Sequence, residues 1–576
     1  MTETPESRPA TVERWLGTRL NLDTLQLIFI GLVLLAVLTR FVHLGDRVMS
    51  HDETTHVYFS WLLEQGRGYQ HDPLSHGPFQ FHAIAFSYFL FGDNDASARV
   101  PAAVAGVLTV ALIWAFRRWL GRTGAVVAGA MAVVSPFLLY YSRYARNEAL
   151  VAAEALLMVW AVFRYFETRR PKQLYILAAA LALMYVTKET AFIYVAQLSF
   201  FLGVYFIWRV LSSAWPGNPL KWGFMAGTAA GLLGLGSALA YFFVLRTEAG
   251  DANTIATTPL VQILALIGIA GFVVAGVTLI RGFGQRLRTA FPSLDILVVT
   301  MTLTIPQLAA LPSQILGWDP LAYQDQVQLN QTITVAVGLG LISLGIGLAW
   351  HWRRWLISAA IFFTLFTLFY TTFFTHPFGF FTGLVGSLGY WLVQQGVQRG
   401  TQPLYYYVLI QIPIYAYLPA MGSVAAGVIG LRSWIRGQSP ADNEADEDVA
   451  IPADEAEAPD EPQADLVVPE VQHFPVLLYI GYWVVTSLIA FSFAGERMPW
   501  LTVHLTLPMI LLSGWVFGGF LDRLDRNVLG KAAGWLTLAI LAIGLLALAR
   551  ALGVLLGSVP PFSGQGLDQL RATSGL

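Results

Sequence analysis

Runs of eighteen or more mostly apolar residues recur along this chain, each long enough to cross the roughly 30 Å hydrocarbon core of a bilayer. A segment that spans lipid must satisfy its own backbone hydrogen bonds, so such runs fold as helices. Composition agrees: 56% of the 576 residues are hydrophobic and only 12% are charged, with mean hydropathy +0.59. A soluble domain carries about twice that share of charge. The fold class this predicts is an all-α polytopic membrane protein. The absence of cysteine excludes disulfides, thiolate metal sites and a cysteine nucleophile. The first 23 residues are polar, and no small-residue cleavage site follows the first apolar run, which reads as a retained signal anchor.

Fifteen candidate spans lie near 24–42, 99–116, 123–140, 148–166, 173–187, 190–208, 222–245, 258–280, 291–313, 333–350, 355–374, 404–431, 474–494, 500–519 and 531–556. With the N-terminus in the cytoplasm, alternate loops hold 22 of the 34 basic residues, as the positive-inside rule requires. Residues 438–472 contain 12 of the 36 acids and no Lys or Arg, the signature of a disordered cytoplasmic linker. The chain then divides into a cytoplasmic tail (1–23), a transmembrane domain (24–437) with a large outside loop (43–98), the linker (438–472), C-terminal helices (473–557) and an outside tail (558–576). The multi-pass protein is expected in the plasma membrane.

Polar motifs gather on the outside. The first loop holds "HDETTH" at 51–56 and "HDPLSH" at 71–76. Further along stand "YSRYARN" at 141–147 with Glu148, "TKET" at 187–190, the loop 375–403 containing Arg399, and "GERMPW" at 495–500. One such charge at a membrane edge can snorkel to headgroups. Several on one face, with paired signs, point to a shared site. Residues 56–64 have helical spacing, with Val57, Trp61 and Leu62 on one stripe and Tyr58 at its edge, as suits an interfacial helix. Residues 78–91 are apolar but too short to span, so a second surface or re-entrant helix is expected. Asp52 falls at the start of the first surface helix, where it can serve as an N-cap or, with Glu53, deprotonate a bound hydroxyl.

Five of the ten histidines lie in 51–82. His51, His71, Asp72 and His76 are candidate ligands for a divalent metal ion. The spacing within each cluster is poor for helical ligation, and the imidazoles can equally bind phosphate or sugar.

Together these strings resemble the C-type (GT-C) glycosyltransferases, which include the protein O-mannosyltransferases and the lipid A aminoarabinose transferase. They are most similar to the bacterial and archaeal flippase-activity-associated membrane proteins of the dolichyl-phosphate-mannose mannosyltransferase-like group. The resemblance rests on His51–Asp52–Glu53, His71–Asp72–Pro73, His76 to Phe79, Ala98 to Pro101, Ser142 to Glu148, Thr187–Lys188–Glu189, Tyr390–Trp391–Leu392 with Arg399 to Tyr407, and Gly495 to Leu501. It implies a GT-C-like bundle of about 13–15 transmembrane helices. It also implies transfer of a sugar from a polyprenyl-phosphate-linked donor to an acceptor hydroxyl at the outer face, with inversion. Asp52 would then be the general base and Glu53 would position acceptor or base.

Elementary chemistry asks for the same parts: a base on one face of the sugar and cations for the departing phosphate. The candidate cations are Arg146, Lys188, Arg497, Arg143 and Arg399, with Glu148, Glu189 and Glu496 beside them. His504 lies one turn into the helix after "GERMPW" and faces the same site if that helix points inward. Membrane lipid and an acceptor protein, lipid or glycan are the expected partners, and nucleic acid is not. Two rival readings are a lipid-linked sugar flippase or transporter and a non-catalytic partner of a glycan-assembly complex. A transporter usually carries polar residues at mid-membrane in repeated halves. Here charge clusters at one face.

Overall fold

The computed structural model describes residues 23–249, 259–394, 402–436, 474–495, 497–524, 550 and 566–569. The acidic linker, the tail 1–22 and the span expected at 531–556, apart from Arg550, lie outside the described residues.

The described residues form helices joined by loops, with no strand among them. Its longer helices are α1 (Thr24–Phe41), α2 (His51–Glu64), α3 (Phe79–Phe91), α4 (Asp95–Ile113), α5 (Arg122–Val134), α6 (Glu148–Thr168), α7 (Pro171–Thr187), α8 (Thr190–Ser212), α9 (Asn218–Ala249), α10 (Pro259–Phe283), α11 (Pro292–Thr304), α12 (Gln326–Tyr370), α13 (Tyr417–Ile435), α14 (Val476–Phe493) and α15 (Thr502–Asp522). Ten helical stretches among the described residues are long and apolar enough to cross a membrane. The chain is a multi-pass, all-α membrane protein.

Two expected spans, 333–350 and 355–374, fall in α12, whose 45 residues exceed any single crossing. The backbone leaves helical geometry at His351 (φ −159°, ψ 90°), and a Cβ placed on Gly347 would lie 2.2 Å from the Trp355 indole. Residues eight apart stand about 12 Å apart in a straight helix, so the chain doubles back here. The indoles on either side of the bend donate to one helix, Trp350 to Asp295 (2.8 Å) and Trp355 to Thr302 (2.8 Å) of α11.

The centre of the bundle is α6 and α15. In their apolar windows 72% and 83% of residues are buried, against 17% in α1, whose Leu27, Leu34 and Leu38 face outward to lipid. At one end of the bundle Arg122 pairs with Asp23, Thr123 with Asp522 and Arg118 with Glu167. The opposite end gathers the segments 40–53, 69–82, 140–148, 187–190 and 497–504. The centremost helices therefore begin where the polar motifs meet.

The surface helices form where expected, but α2 turns another face inward. Its buried residues are Glu53, His56 and Ser60, while Tyr58 and Phe59 are exposed and Val57 and Trp61 lie at the flank against Ile84. The expected apolar stripe is thus displaced by a polar one, because Glu53 meets a buried arginine on α4.

Candidate active site

Ser50, not Asp52, caps α2. Its hydroxyl accepts from the Glu53 N–H (3.4 Å) and its own N–H donates to the Glu53 carboxylate (3.1 Å), a capping box. Successive helical residues point about 100° apart. Glu53 therefore enters the protein while Asp52 keeps 39% of its side chain exposed.

Glu53 is fully buried and accepts five hydrogen bonds. The donors are Arg99 Nε (2.8 Å) and Nη2 (3.1 Å), Arg47 Nη2 (2.7 Å), and the backbone N–H groups of Ala145 (2.9 Å) and Ser50 (3.1 Å). Burial works against its charge, but these donors outweigh it and hold the carboxyl below the ordinary carboxylate range. Arg99 is itself wholly buried and also donates to the Leu44 and Arg47 carbonyls. The motif Ala98 to Pro101 puts Arg99 at the edge of an expected span, where an arginine calls for a buried partner, but nothing in the chain names Glu53 as that partner. Glu53 is in this way a tie between α2, α4 and the 142–147 loop and meets no solvent.

Asp52 instead faces Arg146 and Tyr144. Its carboxylate lies 3.4 Å from Arg146 Nη1 and 3.4 Å from the Tyr144 hydroxyl, which also meets the Ser50 hydroxyl at 2.5 Å. Arg146 is 8% exposed, and its Nε lies 3.5 Å from Glu148 Oε2. Its guanidinium stacks over the Trp500 ring, 3.8 Å from the centroid. Lys188 Nζ donates to Glu148 Oε1, and neither side chain is more than 5% exposed. Asp52, Arg146, Glu148 and Lys188 thus form a line of alternating charge running from solvent into the protein. Both contacts of Arg146 are longer than the 2.7–2.9 Å of a tight ion pair, which leaves its donors free to turn to an incoming anion.

Beyond Lys188, Glu189 Oε2 meets His76 Nδ1 at 2.7 Å. Glu189 is buried, which disfavours its charge, but His76 more than offsets this and the carboxyl sits below its usual range. His71 is buried with Nδ1 2.8 Å from the Thr382 hydroxyl and its ring edge-on to Tyr370. His56, buried against Phe81, is pushed well below the ordinary histidine range by burial and then by the charge of Arg146. Its Nδ1 has no partner.

The remaining expected residues are placed as follows. Arg143 donates to the carbonyls of Thr39 (2.7 Å), Arg40 (3.2 Å), Val42 (2.8 Å) and His43 (2.9 Å), closing the C-terminus of α1. Arg497 donates to the carbonyls of Gln402 (2.9 Å) and Ser492 (3.1 Å). Both guanidinium groups are occupied with backbone. His504 is buried in α15, 3.0 Å from the Tyr194 hydroxyl and stacked on Phe491. Arg399 and Glu496 lie outside the described residues. Among the described residues no three His, Asp or Glu side chains gather as metal ligands. His51 is exposed, His71 and His76 are engaged elsewhere, and Asp72 caps a short turn through the Leu74 N–H (2.9 Å). The proposed ligand set His51, His71, Asp72 and His76 does not converge.

Residues 75–234 match the family model described as dolichyl-phosphate-mannose-protein mannosyltransferase. The matched stretch holds Arg146, Glu148, Lys188 and Glu189 and begins after Asp52. The match covers less than half of the chain and overlaps the motifs that carry the resemblance from His76 to Glu189. The chain is also similar to the solved structure of ArnT from Cupriavidus metallidurans bound to undecaprenyl phosphate: TM-score 0.42, 13% identity, 98% of this chain and 68% of that one. It is similar to the oligosaccharyltransferase of Archaeoglobus fulgidus in the apo form at TM-score 0.45 and 13% identity, over 92% of this chain and 55% of that one. For the archaeal oligosaccharyltransferase AglB with an inhibitory peptide and a dolichol-phosphate the values are 0.40 and 11%, over 96% and 53%. No curated protein shows significant sequence similarity to the chain.

Proposed function

We propose that this protein is a glycosyltransferase that moves a sugar from a polyprenyl-phosphate-linked donor to an acceptor hydroxyl at the outer face of the plasma membrane. One observation carries the reading: Asp52 is a half-exposed carboxylate held beside a loosely paired, stacked arginine that leads into buried charge. The acceptor oxygen attacks the anomeric carbon as Asp52 takes its proton. The bond from that carbon to the phosphate oxygen breaks, and the carrier leaves as polyprenyl phosphate carrying one more negative charge. Attack opposite the leaving group inverts the anomeric centre. Arg146 receives the phosphate, with Lys188 behind it. Glu53 acts through Asp52, as the positioning residue that fixes the first turn of α2.

The test is sugar release and transfer from a panel of labelled polyprenyl-phosphate sugars by the full-length protein in nanodiscs. Asp52→Asn is expected to lower turnover by about 10²–10⁴-fold, the usual contribution of a general base. Turnover at the wild-type rate in that variant would remove Asp52 from the chemistry. Carrier binding with no turnover on any donor and acceptor would favour a flippase or a non-catalytic partner.

A further inference from the structure

His76 is held in a way that a loop histidine seldom is. It closes the turn Pro73–Ser75 at φ 68°, ψ −168°, a backbone region that L-residues avoid. Strain of this kind persists only where the surroundings impose it, and it concentrates at functional positions. Here the imposing neighbour is the next residue. A Cβ on Gly77 would lie 2.2 Å from the Val186 carbonyl oxygen, so the backbone lies flush on the end of α7, just before Lys188 and Glu189. Pro73 and Pro78 stiffen the approach on both sides. The imidazole meets Glu189 at 2.7 Å yet stays 25% exposed, while Glu189 is 6% exposed. Glu189 thus orients a ring that keeps a quarter of its side chain exposed.

The dyad borders the charged line. Glu189 directly follows Lys188, which donates to Glu148, and Glu148 lies beside Arg146. Asp52 meets Arg146 directly, and Glu148 and Lys188 stand between Arg146 and the dyad. Its charge decides what it can bind. With the Glu189 carboxylate attached, the pair is neutral when the ring is protonated and negative when it is not. It therefore gives no net attraction to phosphate. With Nδ1–H donated to the carboxylate, Nε2 presents a lone pair, a hydrogen-bond acceptor for hydroxyl groups.

The geometry points to the His76–Glu189 dyad as a recognition element for a hydroxyl group of the donor's sugar, next to the phosphate held by Arg146. This rests on the transferase reading, because it assigns the ligand of the same site. Binding measurements keep the two separable, since they need no turnover.

The experiment measures the affinity of the full-length protein in nanodiscs for polyprenyl phosphate and for the same carrier bearing a mannosyl group or another hexose. Wild type is expected to prefer a sugar-bearing carrier. His76→Ala is expected to weaken that carrier about tenfold, the worth of one well-placed hydrogen bond, and to leave the bare carrier within about twofold. Glu189→Gln, which keeps the shape but frees the ring, is expected to lose part of the same preference. Bare-carrier binding at wild-type strength also shows that each variant is folded. Equal loss for both carriers, an unchanged preference in His76→Ala, or no preference in wild type would each overturn the inference. A normal binding pattern with no transfer by wild type would count against the transferase reading alone.

Discussion

The Arg146 guanidinium lies over the Trp500 ring, 3.8 Å from its centre. This stack joins the start of α6 to the start of α15, the two most buried helices of the bundle. It fixes the plane of the guanidinium while leaving its edge toward Asp52.

Arg146→Lys is therefore expected to weaken polyprenyl-phosphate binding by about tenfold or more, although charge is retained, because an ammonium neither stacks in that plane nor forks onto a phosphate. Trp500→Leu is expected to act in the same direction and less strongly. Titration of the bare carrier in nanodiscs measures both, and wild-type affinity in the lysine variant would show that Arg146 does not hold the phosphate.

Neighbouring Asp52 and Glu53 should separate cleanly by stability. Glu53→Ala leaves Arg99 buried without its carboxylate and is expected to cost about 3 kcal/mol or more. Asp52→Asn, at a part-exposed position, is expected to stay within about 0.5 kcal/mol of wild type. Thermal unfolding in detergent gives both values.

Arg143→Ala tests the distinction between two arginines three residues apart. Arg143 satisfies carbonyls at the end of α1, so its loss is expected to destabilise by about 1–3 kcal/mol. Carrier affinity of the folded variant should be unchanged. A selective loss of carrier binding would move Arg143 into the phosphate site.

Acid should destabilise the protein partly through His71. Burial lowers its pKa to about 4, from 6.5. Between those values the unfolded chain binds a proton that the folded one does not, so stability falls as pH drops from about 6.5 toward 4. The contribution is on the order of 3 kcal/mol when fully developed. His71→Gln is expected to flatten this fall, read from melting temperatures between pH 7.5 and 5. Parallel curves for wild type and variant would show that His71 does not titrate with folding.

Much of the architecture could be read from the chain alone. Apolar length places most of the spans, although those expected at 123–140, 173–187 and 291–313 fall on helices of fewer than eighteen residues, and the "HWRRW" stretch at 351–355 marks the reversal at His351. Positive charge at alternate loops foretells that Arg118 and Arg122 gather at the end away from Asp52 and Arg146. The site was legible as a set of motifs but not as a division of labour. Asp52 and Glu53 are adjacent and chemically alike. Which of them turns inward depends on Arg99, 46 residues away, and on the Ala145 N–H, 92 residues away. Arg143 and Arg146 are both candidates for phosphate, Arg146 the preferred one, until the carbonyls of Thr39 to His43 claim Arg143. The histidine clusters read as twin copies of one motif. Local backbone sends them apart: His51 sits on an open helical turn and His71 in a buried pocket, while His76 lies on a strained corner facing Glu189.

The line Asp52, Arg146, Glu148, Lys188 has a consequence for the timing of charge. At rest two acids cancel two bases, so a half-buried row of four ions presents no net charge to the membrane edge. If Asp52 takes the acceptor's proton, the row becomes positive by one at that moment. The departing phosphate gains its extra negative charge in the same step. The two changes compensate within one site, with no ion drawn in from outside. Loss of that proton to water then returns the row to neutrality and weakens its hold on the phosphate, so that the carrier can leave.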